Sequence, residues 1–345
     1  MEIVQRKGVA APVRGHLGLV LLLGLLGALF FYKWSGSIRT IDGVRAAHAW
    51  TRSADPITTG GVLRATAAYF GRIWPALLYG LLIGAAVRAL VSPRWFAELL
   101  GNHRAVRRQI AAGLAGAPLM LCSCCITPLF ASVYETGVRL GPALGMMLGS
   151  PGLNPAALVL TFMLFPPVVA ATRLASAAAA VFVLPVVLER MFGASLTVAQ
   201  QARSEPEPPR PGNFGQFALA FARGFVRLSV TTVPLIAAGV LVSSLILPIS
   251  LHGSLRGALI GVPVVSALSV LVALPTFFEI PLALVLVQLA GPAAAVPMLF
   301  AGPIVNLPSL LILARQTSAK VALSLGAGIW LLALAAGLLV QLSGR

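Results

Sequence analysis

Three cysteines fall within four residues, Cys122-Ser-Cys124-Cys125, inside an apolar stretch between Pro118 and Pro128, and no other cysteine occurs in the chain. Three chemistries fit that pattern. As packing, Cys is a small apolar residue and needs no further role. As soft-ligand chemistry, thiolates suit Cu(I), Zn and, by the same softness, trivalent arsenicals. As redox chemistry, Cys122 and Cys125 have the spacing of a pair that forms and exchanges a disulfide. On a regular helix these two share a face while Cys124 points elsewhere, so all three converge only if the turn around Pro128 unwinds. A zinc finger is excluded, because there is no second ligand pair. The second chemical signal is Glu279, the one acid deep in an apolar stretch. A carboxylate at such depth is costly and marks a functional site by default. It is expected to carry a coupling proton, against the plainer alternative of an ion pair with Arg88 or Arg173.

Two further segments would position a site. Gly149-Ser150-Pro151-Gly-Leu-Asn154-Pro155 aligns with Ala301-Gly302-Pro303-Ile-Val-Asn306-Leu307 at an offset of 152 residues. Pro128 aligns with Pro281 at 153, and Trp74-Pro75 with Val233-Pro234 at 159. The ordered matches indicate an internal duplication. Helix breaks at Pro128, Pro151, Pro155, Pro281 and Pro303 would leave backbone groups unpaired, which a bilayer tolerates only where they face protein or a water-filled cavity. Ser150, Asn154 and Asn306 are therefore expected to line a solute site with Cys122, Cys124 and Cys125. Each Asn could equally cap a half-helix. Since Ile126 aligns with Glu279, the cysteines and the carboxylate are expected around one cavity.

The elements carrying these residues belong to a membrane protein. Of 345 residues, 58% are apolar and 10% charged, with a mean hydropathy of +0.94, far from the roughly 25% charge of a soluble domain. That composition excludes disorder, and three cysteines exclude a disulfide scaffold. The continuous Ala- and Leu-rich runs lack the alternation of a β-barrel. The net charge of +16 sits mainly in loops and tails, where it suits lipid headgroups and sets topology; no aromatic–basic surface for nucleic acid is present. The fold class is an all-α, polytopic transmembrane helical bundle of about nine spans, built from two internal repeats with broken or re-entrant helices. The spans fall near 17–31, 73–90, 110–134, 142–164, 167–188, 225–249, 258–289, 291–314 and 320–342. The 258–289 segment is over-long for one helix and calls for a break near Pro275.

Four regions follow: an N-terminal helix and polar loop (1–58), a first repeat (59–192), a Pro-rich linker (193–215) and a second repeat (216–345). Residues 35–58 are expected to form the loop, and 60–73 an interfacial helix. The basic loop with Arg94, His103, Arg104, Arg107 and Arg108 is expected inside, as is the N-terminus.

These segments resemble the permease family that includes organoarsenical efflux permeases. Its pattern is a Cys-Ser-Cys run and a proline, a glycine turn and a Pro–Asn break, in two successive blocks. Here the first block is Cys122-Ser-Cys-Cys125-Ile-Thr-Pro128, Gly137–Gly141 and Gly149–Pro155; the second is Leu274–Pro281 and Ala301–Ser309. The resemblance covers about residues 65–315. It implies a multi-span permease, with efflux of trivalent methylated or aromatic arsenicals in one branch and metal export or no known substrate in others. The chain departs from some relatives in having Phe277, Phe278 and Glu279 where a second-half Cys can occur.

The resulting expectation is a proton-coupled secondary permease, not an enzyme, exporting a small soft or thiol-reactive solute across a bacterial inner membrane. No Walker A motif occurs, and no cofactor or resident metal is expected. Membrane lipids and the solute are the expected partners, and a homo-oligomer is compatible with the chain. The alternative is a membrane thiol-disulfide oxidoreductase working through Cys122 and Cys125, against which stands the confinement of all three cysteines to one half.

Overall fold

The computed structural model describes residues 13–47, 62–90, 105–203, 214–252, 258–274 and 277–343. The described residues are helices joined by short turns, with no strand among them. α1 spans Val13–Ala47 and α2 Val62–Leu90. Then come α3 (Ala105–Gly116), a 3-10 turn at Ala117–Leu119, α4 (Ser123–Glu135), α5 (Leu140–Gly152), α6 (Pro155–Leu164) and α7 (Pro167–Ala178). A π-helical turn, Ala179–Val183, joins α7 to α8 (Leu184–Arg203). The remainder is α9 (Phe214–His252), α10 (Ala258–Leu271), α11 (Glu279–Ala290), α12 (Pro292–Ile304), α13 (Leu307–Gln316) and α14 (Ala319–Ser343).

Five helical stretches are long and apolar enough to cross a membrane, or up to seven if each bent pair counts once. The nine expected from sequence included 110–134 and 258–289, and each of these is two short helices. α3 and α4 are separated by a break at 117–122, and α10 and α11 by one at 272–278. At 1.5 Å per residue, helices of 12 to 14 residues reach about 18–21 Å, short of the roughly 30 Å hydrocarbon core. A break near Pro275 is thus present, although Pro275 itself lies outside the described residues. Two smaller expectations change. The polar loop expected from residue 35 is helical to Ala47, and the expected interfacial helix is the opening of α2, continuous through Pro75. The Pro-rich linker begins later than expected, since α8 continues to Arg203; residues 204–213 and the loop carrying Arg94, His103 and Arg104 lie outside the described residues.

Proline, asparagine and glycine account for the breaks. Pro155, Pro167 and Pro292 each open a helix, where a missing N–H costs nothing. The residue before a proline disfavours helical ψ, and Asn154 sits at ψ 112°. The α5–α6 and α12–α13 pairs both bend by 41°. Gly291, at φ 87°, makes the turn into Pro292, a conformation open to a residue without Cβ.

One core cluster gathers α2, α4, α5, α9 and α13 and holds all three cysteines. A second gathers α6, α10, α11 and α12. Numerous apolar side chains face outward, among them Phe31, Leu63, Val226, Val230, Leu323 and Leu342, as lipid contact requires.

Candidate functional site

The cysteines lie at the start of α4, where the chain leaves the 117–122 break. Cys122 is the N-cap residue, in extended conformation, so the helix begins within the run itself. Pro128 lies inside α4, and the irregular turn precedes the cysteines rather than following them. The regular-helix geometry therefore applies: the Cys122 and Cys125 sulfurs meet at 2.7 Å as free thiols. Cys124 faces elsewhere. Among the described residues, no three His, Cys, Asp or Glu side chains converge to hold a metal ion.

Cys124 points to residues from distant parts of the chain. The Tyr69 hydroxyl of α2 lies 3.3 Å from its sulfur. The Asn306 amide meets it with both ends, Nδ2 donating at 3.2 Å and Oδ1 lying 3.4 Å away, within reach of the S–H. Cys124 and Asn306 are both fully buried. The contact joins the cysteine turn of the first half to the α12–α13 break of the second.

Both asparagines are caps. Asn154 Oδ1 accepts the N–H groups of Ala156 and Ala157 at 3.1 and 3.3 Å. Asn306 Oδ1 accepts Ser309 N–H at 3.1 Å while Ser309 Oγ accepts Asn306 N–H at 3.0 Å, a reciprocal capping box. Asn306 thus does two jobs, and the hydrogen bonds of Asn154 are those of a cap alone. Ser150, near the end of α5, accepts Leu121 N–H at 2.9 Å and donates to Leu121 O at 3.3 Å, which satisfies the break's backbone. Pro151 and Pro303 lie inside α5 and α12 just ahead of their bends, Pro155 opens α6, and Pro281 is in the first turn of α11.

Glu279 makes its charged contact with α7. It opens α11, is 2% exposed, and its Oε1 lies 3.5 Å from Arg173 Nη2 on α7. Arg173, equally buried, also donates to the Ala157 carbonyl at 3.3 Å and to the Thr161 hydroxyl. The flanking Phe277 and Ile280 pack in the second cluster. Of the two partners considered from sequence, Arg173 is the one that pairs; Arg88 pairs with Glu135. Glu279 Oε2 is buried without a hydrogen-bond partner.

Tyr69, Thr161 and the full role of Arg173 escape a sequence reading. Tyr69 sits in an apolar helix with nothing to mark it. Arg173 carried a usable signal, since a cation among apolar residues demands a partner. Arg72, one turn beyond Tyr69, places its guanidinium 5.9 Å from the Phe278 ring centre.

Residues 59–342 match a family described as "Predicted permease". The chain belongs to that family. It is 26% identical over 319 residues to the UPF0718 protein YraQ of Escherichia coli (strain K12), covering 90% of this chain and 91% of that one. A shorter match, 31% identical over 85 residues, is to the UPF0718 protein MJ0584 of Methanocaldococcus jannaschii and covers 24% of this chain and 23% of that protein. No solved structure matches. As a member of a permease family with several apolar helices of spanning length, the chain is a multi-pass membrane protein.

Proposed function

We propose that this permease is a proton-coupled secondary transporter that exports a small soft or thiol-reactive solute, organoarsenical or metal-like, across a bacterial inner membrane. Its solute site lies where the cysteine turn meets the broken helices. The observation that carries this reading is the buried contact between Cys124 and Asn306, which brings the chemistry of one half to the helix break of the other. Cys122 and Cys125 offer two sulfur donors to one soft centre. Asn306, Ser150 and the backbone of the breaks orient the solute.

Glu279 carries the coupling proton in this reading. Its partners are Arg173 and, through Arg173, Thr161 and the Ala157 carbonyl. Protonating the carboxylate removes its attraction for the guanidinium, so the proton is linked to a contact between α7 and α11. A duplication is part of the same reading. It is supported by helix starts at Leu140 and Pro292, Pro155 and Leu307, and Pro167 and Ala319, each pair 152 residues apart, and by the equal bends of the two broken pairs.

The test is transport in right-side-out and inverted vesicles, with trivalent arsenicals, soft metal ions and small thiols as probes, with and without a pH gradient. Movement of one probe class that requires the gradient, and that loses this requirement in Glu279→Gln, supports the reading. Gradient-independent movement unchanged in the variant contradicts proton coupling through Glu279.

A further inference from the structure

The direction of each helix follows from which residues meet. In the first half, Gly80 packs on the Cys125 carbonyl, Gly84 on Pro128 and Ser132, and Arg88 pairs with Glu135. α4 therefore starts partway along α2 and travels with it to the Arg88 end. The turn at 136–139 lies there, and α5 leaves it in the reverse direction. α3 travels with α5: Gln109 packs against Gly141 and Gly145, Gly113 against Gly149, and Gly116 against Met146. α3 thus begins where α4 finishes. The pair enters from the Arg88 end, turns at 117–122 and returns, with its tip residue Leu121 held on Ser150 beside the α5–α6 break.

The second half contains a like pair. Gly337 of α14 meets Val262 at the start of α10 and also Ala293 and Pro297 at the start of α12. α11 leads through Gly291 into α12, so α11 finishes at the end where α10 begins. The tip residue Leu274 packs at Gly302, just ahead of the α12–α13 break, as Leu121 packs at Ser150.

The two pairs enter from opposite ends. α7–α8 runs from Arg173, beside Thr161 of α6, past Glu189, which accepts the Gly141 N–H at 3.1 Å at the Arg88 end. Leu184, about one turn before Glu189, meets Gly328 in the first half of α14. α14 therefore starts toward the Arg88 end and carries Gly337 away from it. α9 agrees, running from Gly224 beside Ala85 to Gly239 beside Pro308, next to the Asn306 break.

We infer that the two halves are inverted repeats, each of three crossings and one re-entrant hairpin, and that the hairpins enter from opposite faces of the membrane with their tips at the two helix breaks. Three crossings per half is an odd number, which turns the second half upside down relative to the first. Together with α1 this makes seven crossings. Tip backbone at that depth must be satisfied by protein, and Ser150 does so for Leu121. On the proposed function above, the solute passes between a tip bearing sulfur and a tip bearing Glu279, whose partner Arg173 stands on α7.

The test adds one cysteine at a time, at Arg139, Pro166, Gln288 or Lys320, all exposed, to the otherwise unchanged chain. Labelling by a membrane-impermeant maleimide is compared in right-side-out and inverted vesicles. The unsubstituted chain, with three buried thiols, is the blank. The inference expects Arg139→Cys and Lys320→Cys to label from one face and Pro166→Cys and Gln288→Cys from the other. If the α3–α4 and α10–α11 segments instead cross the membrane, Arg139→Cys labels with Gln288→Cys, and Pro166→Cys with Lys320→Cys, which overturns it. Probe transport in the same vesicles tests the permease site separately, so the topology and the solute reading can fail independently.

Discussion

At the turn before α4, Met120 adopts a left-handed φ of 48°, and the residues after it are sulfurs and hydroxyls buried among apolar side chains. At the turn before α11, Phe277 adopts φ 70°, and the second residue after it is a carboxylate paired with a buried guanidinium. These two are the non-glycine residues of positive φ among the described ones, a conformation costing about 1 kcal/mol or more for an L side chain. The backbone device is shared and the chemistry is opposite. One turn presents neutral, polarizable donors; the other presents a charge pair sensitive to a proton. One backbone device thus carries two chemistries, to which the proposed function gives solute contact and coupling.

The largest expected effect breaks the charged turn. Glu279→Ala leaves Arg173 buried without its countercharge and should cost about 3–5 kcal/mol, read as a fall in the thermal unfolding midpoint of the detergent-solubilised protein. Glu279→Leu combined with Arg173→Leu removes both charges and should recover most of that loss. Failure of the double variant to recover would show that the pair is not an isolated electrostatic unit. Next comes the sulfur turn. Gly80→Ala drives a Cβ into the Cys125 carbonyl, backbone that cannot move aside freely, and an overpacking cost of about 1–3 kcal/mol is expected by the same measurement.

A smaller contrast separates the two caps. Asn306→Ala loses the capping box and the Cys124 contact, whereas Asn154→Ala loses a cap. Each should cost about 0.5–2 kcal/mol, with Asn306→Ala the costlier, and Asn306→Ala alone should also impair probe transport in vesicles. Equal transport defects in the two variants would show that the Cys124 contact adds nothing to the cap. The smallest stability effect is expected for Arg139→Ala, whose side chain is 63% exposed and meets Glu189 at 3.3 Å; a surface pair of this kind contributes roughly 0–1 kcal/mol.

Much of this was legible in the sequence because breaks have unambiguous causes. Asn154-Pro155 and Asn306-Leu-Pro308 could be read as interrupted helices from the missing N–H of proline and the capping power of asparagine. The grouping of Cys122 with Cys125, apart from Cys124, followed from helical spacing alone. What could not be read was which distant residues meet. Arg88 and Arg173 were alternative partners for Glu279 in the sequence, and only the packed helices select Arg173. The position of the break at 117–122 could not be fixed, because Gly116-Ala-Pro-Leu-Met-Leu-Cys122 is apolar throughout, and hydropathy cannot distinguish a span from two half-length helices. Tyr69 became relevant only once α2 was packed against α4.

On the proposed function, solute passes where the two breaks meet, and a reversible lock at that junction probes this passage. Gly152 faces the Ile304 side chain across the two halves, with a Cβ at Gly152 about 3.0 Å from Ile304 Cδ1. The pair Gly152→Cys and Ile304→Cys should form a disulfide under copper-phenanthroline, with the unsubstituted chain as control. Transport of a trivalent methylated arsenical, or whichever probe the vesicle screen identifies, should stop on oxidation and return on reduction. Undiminished transport with the cross-link complete would contradict it.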